Sequence, residues 1–452
     1  MATARDLTTA PIPGLIRRLA VPAGTGFFFN TLYNVVDSIY AGMWSTEALA
    51  ALAISFPIFF LIIASSAGFG QGTTALIANA LGSNDERRAR HLFAQSLVLA
   101  FGVGILLPIL ALSIADPVLA LLGNQETTIE LALDYLIPIM LGSVLFLLNS
   151  GANAFLTADG DTKTYRNALI AGTVLNVGLD PLFMFVFGLG VAGIAWATVL
   201  VQTLIFVYLL YVLRRTVLSD GIRLRRLMPE PKAIGAIVAQ GLPAAGNLMM
   251  IGTSLFVITY FVSRFGDAAT AAYGVALRIE QLFLLPTVGL NASSLALVGQ
   301  NFGAKKFDRV REIYAKTLTY GLAIMASGGL IIMIFRGPLM GLFTDDPDVI
   351  DHGSGYLFVA ALIQCAYALT MIGTSTLQGM TQPMPALVTG LFRSLIAPPL
   401  FIWLALNALG TGIDGIYWSV FLANWIAAVA VFFYVRYRFR CDCPRVPATA
   451  TA

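Results

Sequence analysis

The sequence predicts an all-α integral membrane protein with twelve transmembrane helices arranged in two six-helix bundles. Three observations lead to this prediction: an apolar composition, a regular series of long apolar segments, and an internal repeat. Of the 452 residues, 58% are hydrophobic and only 11% are charged. Because soluble domains carry about 25% charged residues, this composition excludes an ordinary soluble protein. The long apolar segments exclude a disordered one.

Twelve apolar segments bounded by turn residues are long enough to cross a bilayer, which takes about 20 residues. Several are longer, so we expect those helices to tilt or to extend beyond the hydrocarbon. The predicted helices lie near residues 15–42, 47–80, 90–115, 128–157, 163–187, 190–213, 233–264, 269–301, 312–335, 350–378, 384–408 and 413–437.

Basic residues cluster on alternate connections of this series. Most of the 27 Lys and Arg residues lie before helix 1, in the 2–3, 4–5 and 6–7 connections, after helix 8, and at the C-terminus. Cytoplasmic loops carry the excess of Lys and Arg in membrane proteins. The pattern therefore predicts a multi-pass protein of the plasma (inner) membrane with both termini in the cytoplasm.

The chain repeats itself after 221 or 222 residues. Pro22 is matched by Pro243, and the segment Gly188–Trp196 is matched by Gly410–Trp418. Each half holds six predicted helices, so both halves begin on the same side of the membrane. This relation predicts a pseudo-two-fold axis along the membrane normal.

The repeat also divides the chain into predicted regions. We expect an N-terminal lobe over residues 1–217, a basic linker over 218–232, a C-terminal lobe over 233–440 and a polar tail over 441–452. The net charge of +3 is too small to indicate a nucleic-acid partner. His91 and His352 are predicted at opposite membrane faces, so no metal site is expected.

Several motifs resemble the multidrug and toxic compound extrusion (MATE) family over nearly the whole chain. They include Pro22, Asp37, the Gly68–Gly72 run, Tyr273–Gln281 and Val298–Ala304. The acidic residues of the first half are similar to those of the DinF-type branch. We expect the Gly68–Gly72 run to allow close helix packing rather than to bind phosphate, because it lies inside an apolar helix with no strand before it.

The resemblance implies a transporter rather than an enzyme, acting as a monomer in the lipid bilayer without a cofactor. Its implied activity is the efflux of organic, often cationic small molecules in exchange for protons or sodium ions. A flippase for lipid-linked or amphipathic molecules is the alternative, since related folds do that work. An intramembrane enzyme is disfavoured because the sequence shows no nucleophile or metal cluster.

Three acidic residues, Asp37, Asp180 and Glu280, lie deep within predicted helices. A charge at the bilayer centre costs about 2.5–3.5 kcal/mol, so each requires a reason. Asp37 on helix 1 and Asp180 on helix 5 lie at depths that differ by about one helical turn. Thr198 on helix 6 reaches the same level.

Further oxygen atoms are expected beside these two carboxylates. Asn176 shares a helix face with Asp180, and Asn30 and Tyr33 share one with Asp37. Pro181 frees a carbonyl one turn earlier, because proline has no backbone N–H to donate. The pattern predicts a site for a proton or a hard cation, and a purely structural hydrogen-bond network is the alternative.

The resemblance adds three expectations about particular residues. Asp37, Asn176, Asp180 and Thr198 fall where the cation-site residues of the DinF-type branch fall. Asn153 matches by position too, although its predicted depth is nearer the cytoplasm. The resemblance also implies that helix 1 bends near Pro22.

The second half holds a possible polar site of its own. Arg278 and Glu280 are two residues apart on one helix, so their side chains diverge and need not pair. Glu280 is therefore either part of an interhelical salt bridge or polar anchor, or a second contact for protons or substrate.

Overall fold

The computed structural model describes residues 7–121, 126–216 and 227–443, and these residues contain helices and turns but no β-strand. The predicted all-helical fold is confirmed, and the predicted helices lie close to the observed ones. The helices are α1 (Ile12–Trp44), α2 (Thr46–Gly82), α3 (Glu86–Leu121), α4 (Glu126–Leu141 and Ser143–Asp159), α5 (Lys163–Pro181, continued by a π-helix over Leu182–Val186), α6 (Val191–Thr216), α7 (Pro231–Ser263), α8 (Asp267–Gly303), α9 (Phe307–Gly341), α10 (Pro347–Gly379), α11 (Met384–Gly390, a π-helix over Leu391–Ile396, and Ala397–Asn407) and α12 (Gly412–Asp442).

These helices make the chain a multi-pass membrane protein. Among the described residues, 10 helices are long and apolar enough to span a bilayer, or 11 if the two segments of α4 form one span. Helices satisfy their own backbone hydrogen bonds, as hydrocarbon requires. The remaining helix, α1, is 33 residues long and contains Pro22. It is long enough to cross, and it carries Asp37 inside the apolar stretch.

Helix α4 differs from the continuous helix predicted over 128–157. Its two segments meet at a bend of 44° between Leu141 and Ser143. Pro138 lies inside the first segment, and Gly142 follows it at the break. Proline removes a backbone donor, and bends of this size usually occur at proline or glycine.

Turn residues with positive φ mark the internal repeat in the backbone. Asn84 (φ 58°) and Lys305 (φ 57°) follow α2 and α8, and they are 221 residues apart. Gly160 (φ 92°) and Thr381 (φ 61°) end α4 and α10 at the same offset. Non-glycine residues rarely adopt this conformation, so its recurrence shows that the two halves share turn geometry as well as helix order.

The chain divides into two compact units, but not at the predicted linker. One unit covers Thr25–Ala245, and the other joins Arg5–Gly24 to Gly246–Ala452. The unit boundaries lie inside two helices: the beginning of α1 belongs to the second unit, and the beginning of α7 belongs to the first.

Close contacts between small residues explain this division. A Cβ atom on Gly289 of α8 would lie 2.3 Å from the carbonyl oxygen of Ala20 in α1. A Cβ atom on Gly68 of α2 would lie 2.2 Å from the backbone nitrogen of Ala245 in α7. Gly68 and Gly289 are 221 residues apart, so the repeat uses the same glycine twice. The expected packing role of the Gly68–Gly72 run is thus confirmed.

Two predicted regions fall largely outside the description. Residues 218–226 of the predicted linker and residues 444–452 of the predicted tail are not among the described residues. The described part of the linker places the backbone carbonyl of Met228 against Gln95 of α3, with a donor–acceptor distance of 2.8 Å.

Candidate functional site

Helices α1 and α5 of the first unit are joined by two polar contacts at the level of the predicted site. Thr173 on α5 donates its hydroxyl hydrogen to the carbonyl of Phe29 on α1, with a distance of 3.0 Å. Tyr40 on α1 donates to the carbonyl of Val177 on α5 at 2.9 Å. The Val177 carbonyl lies four residues before Pro181 and is the one that the proline frees. It already accepts one hydrogen bond, which leaves one of its two lone pairs for the cation that the sequence suggested.

These contacts bring Asp37 of α1 and Asp180 of α5 together. The two carboxyl groups are close enough to interact directly with each other. Asp37 is 4% exposed and Asp180 is fully buried. One oxygen of each carboxylate, Oδ1 of Asp37 and Oδ2 of Asp180, has no hydrogen-bond donor among the described residues. The pair therefore has oxygen atoms to offer to a further group.

Neutral polar side chains surround the two carboxylates. Asn176 donates from Nδ2 to Oδ1 of Asp180 at 2.7 Å, and its own Oδ1 is buried without a donor among the described residues. Tyr33 donates its hydroxyl hydrogen to Oγ1 of Thr198 on α6 at 3.0 Å. Helices α1, α5 and α6 thus each contribute polar side chains to this cluster.

Tyr135 of α4 is a member of this cluster that sequence reasoning missed. Its ring is 5% exposed, and its hydroxyl interacts electrostatically with both Asp37 and Asp180. A tyrosine within an apolar helix carries no signal in the sequence. Its position depends on the packing of α4 against the other helices of the first unit.

The charge of the cluster is unbalanced. Among the described residues, neither Asp37 nor Asp180 forms an ion pair, and no Lys or Arg contributes to the electrostatic surroundings of either carboxyl group. Buried carboxylates are normally paired with a cation or protonated. The arrangement can therefore hold a proton shared between the two groups, or a cation bound by carboxylate, amide and hydroxyl oxygens.

Two predicted members lie away from these contacts. The side chain of Asn30 is exposed, and its backbone carbonyl accepts a hydrogen bond from Asn34 at 2.9 Å. Asn153 lies in the second segment of α4, where its Oδ1 accepts a hydrogen bond from Thr157 of the same helix at 3.2 Å.

The structure separates Glu280 from Arg278. Glu280 is 3% exposed, whereas Arg278 is exposed on another face of α8. Glu280 accepts a hydrogen bond at Oε2 from the hydroxyl of Tyr356 at 2.8 Å. The Tyr367 hydroxyl lies close to this carboxylate, and Arg393 of α11 is near enough to stabilise its charge.

Arg393 extends the cluster of the second unit towards α12. It donates from Nη1 to Oδ1 of Asn424 at 3.3 Å, and its guanidinium lies 5.6 Å from the centre of the Tyr367 ring. Sequence reasoning missed the partnership between Arg393 and Glu280. A basic residue within a predicted helix was the available signal, because such a residue needs a partner.

Pro22 lies at a structural boundary. It is buried in α1, and the division between the two compact units follows Gly24, two residues later. Pro243 has the same relation to α7, since the second division follows Ala245. In both helices the proline deprives a carbonyl one turn earlier of its helical donor.

Comparison with known proteins places the chain among transporters. The MatE family model matches residues 22–182 and 243–403, once in each half. An FAD transporter of Shewanella oneidensis is 28% identical, with 92% of both chains covered. The multidrug export protein MepA of Staphylococcus aureus is 24% identical, with 94% of both covered. A MOP superfamily transporter from Pyrococcus furiosus has a structure with a TM-score of 0.91 at 25% identity, covering 98% of this chain and 99% of that one.

Proposed function

We infer a secondary antiporter from one premise: the chain belongs to the MATE family of membrane transporters. The proposed activity is the export of organic compounds, often cationic and aromatic, in exchange for protons or sodium ions. The observation that carries this proposal is the buried pair Asp37 and Asp180, which the described residues leave without a balancing cation. No cofactor enters the proposed cycle.

The carboxylate pair is proposed to couple ion entry to substrate export through its charge. Two ionised carboxylates in an apolar region repel each other strongly, and a bound proton or sodium ion reduces that repulsion. The loaded and unloaded states therefore favour different packing of the helices that carry the pair. Since a ligand shifts a conformational equilibrium by its differential affinity, ion binding at the pair can drive release of the substrate.

Helix α1 is proposed to transmit the change, with Pro22 as the hinge. Asp37 lies on the part of α1 that belongs to the first unit, and Pro22 lies on the part that belongs to the second. A proline within a helix interior is where a bend costs least, because one hydrogen bond is already missing. The segment that carries Asp37 can then repack through a change of backbone angles at only a few residues near Pro22.

Two kinds of substrate are worth testing together. Anionic side chains in the first unit favour an aromatic cation, whose charge they would balance when no coupling ion is bound. The relative from Shewanella oneidensis is named as an FAD transporter, and FAD is an anionic aromatic compound. The same preparation can therefore be assayed with ethidium and with FAD.

A flippase acting on lipid-linked or amphipathic molecules is the second candidate. It requires no coupling ion at Asp37 and Asp180, so ion flux separates it from an antiporter. For either activity we propose a monomer in the plasma (inner) membrane with both termini in the cytoplasm, as the distribution of Lys and Arg predicts.

The decisive experiment uses the purified chain in lipid vesicles with an imposed proton or sodium gradient. We expect ethidium to move only with one of these gradients, and the matching ion to move in the opposite direction. Ethidium transport that is equal with and without either gradient would contradict antiport. Scrambling of a fluorescent phospholipid without ion flux would favour the flippase.

Sidedness is tested by cysteine labelling, after replacing Cys365, Cys441 and Cys443 with serine. A cysteine at Met43 should react with a membrane-impermeant maleimide added outside intact cells, and one at Asn84 should react only after lysis. The reverse pattern would overturn the proposed orientation. Met43 is 66% exposed, so its labelling depends on the side of the membrane rather than on burial.

A further inference from the structure

A cavity of about 830 Å³ lies between α9 and α12 of the second unit, at the ends of these helices where basic residues gather. Three arginines and three aromatic residues line most of it: Arg311, Arg436, Arg440, Tyr314, Phe432 and Phe439. Leu318 continues the lining one turn further along α9. The cavity thus has a cationic end and an apolar wall.

Arg311 holds the two helices together at the cationic end. Its Nη1 atom is 3.1 Å from Oδ1 of Asp308. Its Nη2 atom donates to the backbone carbonyl of Phe439 at 3.2 Å and also to the carbonyl of Cys443. This arginine is therefore largely occupied by the protein itself.

The other two arginines have no carboxylate partner among the described residues, so their charge is available to a ligand. Arg436 lies over the ring of Phe432, with 5.2 Å between its guanidinium carbon and the ring centre. Arg436 and Arg440 are both exposed, and neither forms an ion pair with a carboxylate among the described residues. The nearby Asp442 is instead bound by Arg438 at 2.8 Å. Two cations thus face the cavity without a balancing anion.

A buried hydroxyl also lacks an acceptor. Tyr314 is 6% exposed, and its ring packs edge-on against Phe439 with 5.4 Å between ring centres. Its hydroxyl is buried without a hydrogen-bond partner among the described residues, and it interacts electrostatically with Arg436. A buried donor without an acceptor is costly, so this group favours a ligand that brings an oxygen atom.

We propose that this cavity binds one anionic phospholipid from the leaflet at the basic ends of the spans. The phosphate would accept from Arg436, Arg440 and the Tyr314 hydroxyl, and an acyl chain would lie along Leu318 and Phe432. Basic pockets between transmembrane helices bind anionic head groups in this way. The apolar wall distinguishes a lipid from a free phosphate, since only a lipid covers both parts of the cavity. This proposal does not depend on the transport activity.

The test compares lipids by thermal unfolding of the full chain after delipidation in detergent. Dioleoyl phosphatidylglycerol should raise the midpoint of unfolding with saturation at one site, and dioleoyl phosphatidylcholine should not. The double variant Arg436→Gln/Arg440→Gln should weaken phosphatidylglycerol binding by about 30-fold, because each arginine contributes to attraction of an anionic lipid. Tyr314→Phe should weaken it by about fivefold through loss of one hydrogen bond.

A matched control comes from the first unit. Arg215 is also exposed at the basic end of a helix and lies over an aromatic ring, 4.3 Å from the centre of Tyr211. Arg215→Gln should leave phosphatidylglycerol binding unchanged. Unfolding in phosphatidylcholine alone shows whether each variant is folded as the parent is.

Three results would overturn the proposal. The first is equal stabilisation by the two lipids. The second is unchanged phosphatidylglycerol binding in the folded double variant. The third is equal stabilisation by inorganic phosphate at the same concentration, which would show a simple anion site in place of a lipid site.

Discussion

The two halves of the chain bury carboxylates in opposite ways. In the first unit, Asp37 and Asp180 face each other, and the described residues provide neutral donors but no cation. In the second unit, Glu280 has two tyrosine hydroxyls and the charge of Arg393 beside it. A carboxylate whose charge is balanced by a cation stabilises one conformation. An unbalanced pair of carboxylates instead favours different conformations depending on whether it has bound a proton or a cation. We therefore propose ion coupling at the acidic pair of the first unit and a structural anchoring role for Glu280 in the second.

The repeat sharpens this contrast. The residue 221 positions after Asp37 is Ile258, and the residue 221 positions before Glu280 is Phe59. Both of these apolar side chains are buried, with 5% and 8% exposure. Each half thus carries its acid where the other half has an ordinary core residue. The two acidic sites are separate specialisations of one shared helix arrangement.

The largest expected effect is loss of coupled transport in Asp37→Asn. This change removes one carboxylate of the pair at nearly constant size. The repulsion between two carboxylates, which differs between the ion-bound and ion-free states, is then lost. Ethidium export in vesicles should fall to the level of vesicles without protein. Thermal unfolding should occur at or above the parent temperature, because repulsion between two buried carboxylates is removed.

Asp134→Asn is the matched control for that experiment. Asp134 is an exposed acid on α4, one residue from the buried Tyr135, so its replacement removes a carboxylate outside the pair. It should retain parental transport. Full export by a folded Asp37→Asn variant would break the assignment of coupling to the first unit.

The second largest effect is expected from substitutions in the Glu280 cluster, which should lower the free energy of unfolding more than they affect coupling. Arg393→Gln leaves a buried carboxylate without its nearby cation, and we expect a decrease of about 1–3 kcal/mol in unfolding free energy. Glu280→Gln should be destabilising too, but ethidium export per folded molecule should stay well above that of Asp37→Asn.

The double variant Glu280→Gln/Arg393→Gln tests whether these two residues act together. If they stabilise each other, the double change should cost less than the sum of the single changes. Additive losses would contradict the anchoring interpretation. Abolished coupling in folded Glu280→Gln would mean that the second unit has a coupling site of its own.

A smaller effect is expected from Tyr33→Phe. Loss of the hydroxyl removes the hydrogen bond to Thr198, which should lower export by about fivefold if that bond orients the site. Tyr40→Phe is the matched control, since the Tyr40 hydroxyl binds the Val177 carbonyl. It should lower stability by about 1 kcal/mol without changing the ratio of ions to substrate. Equal transport losses in both variants would show that the two hydroxyls merely hold α1 in place.

The sequence was sufficient for the helices and for the main pair of acids, because both depend on strong local signals. Long apolar segments set the spans, and acidic residues within them are rare enough to identify Asp37, Asp180 and Glu280 directly. Helical periodicity then placed Asn176 beside Asp180. Depth along the helices places Thr198 at the level of the two acids.

The remaining features depend on packing between helices, which a single sequence does not encode locally. Tyr135 reaches the acids through the arrangement of α4, and Arg393 reaches Glu280 from another helix. The unit boundaries inside α1 and α7 rest on close approaches at Gly68 and Gly289. The bend of α4 lies at Pro138 and Gly142. Other helices of this chain contain proline without breaking, so these two residues alone did not predict the bend.

The smallest expected effect is that of Asn153→Ala, and it separates resemblance from geometry. The family resemblance includes Asn153 in the cation site, whereas in this structure its Oδ1 accepts from Thr157 on the same helix. A half-buried side chain bonded within one helical turn contributes little to the Asp37–Asp180 pair, so export should change by no more than about twofold. The ion dependence of export should be unchanged as well. The measurement is export against proton or sodium concentration, with Asn176→Ala as the comparison variant, because Asn176 bonds to Asp180 directly. A shift in ion dependence as large as that of Asn176→Ala would show that Asn153 joins the site in another conformation of the transport cycle.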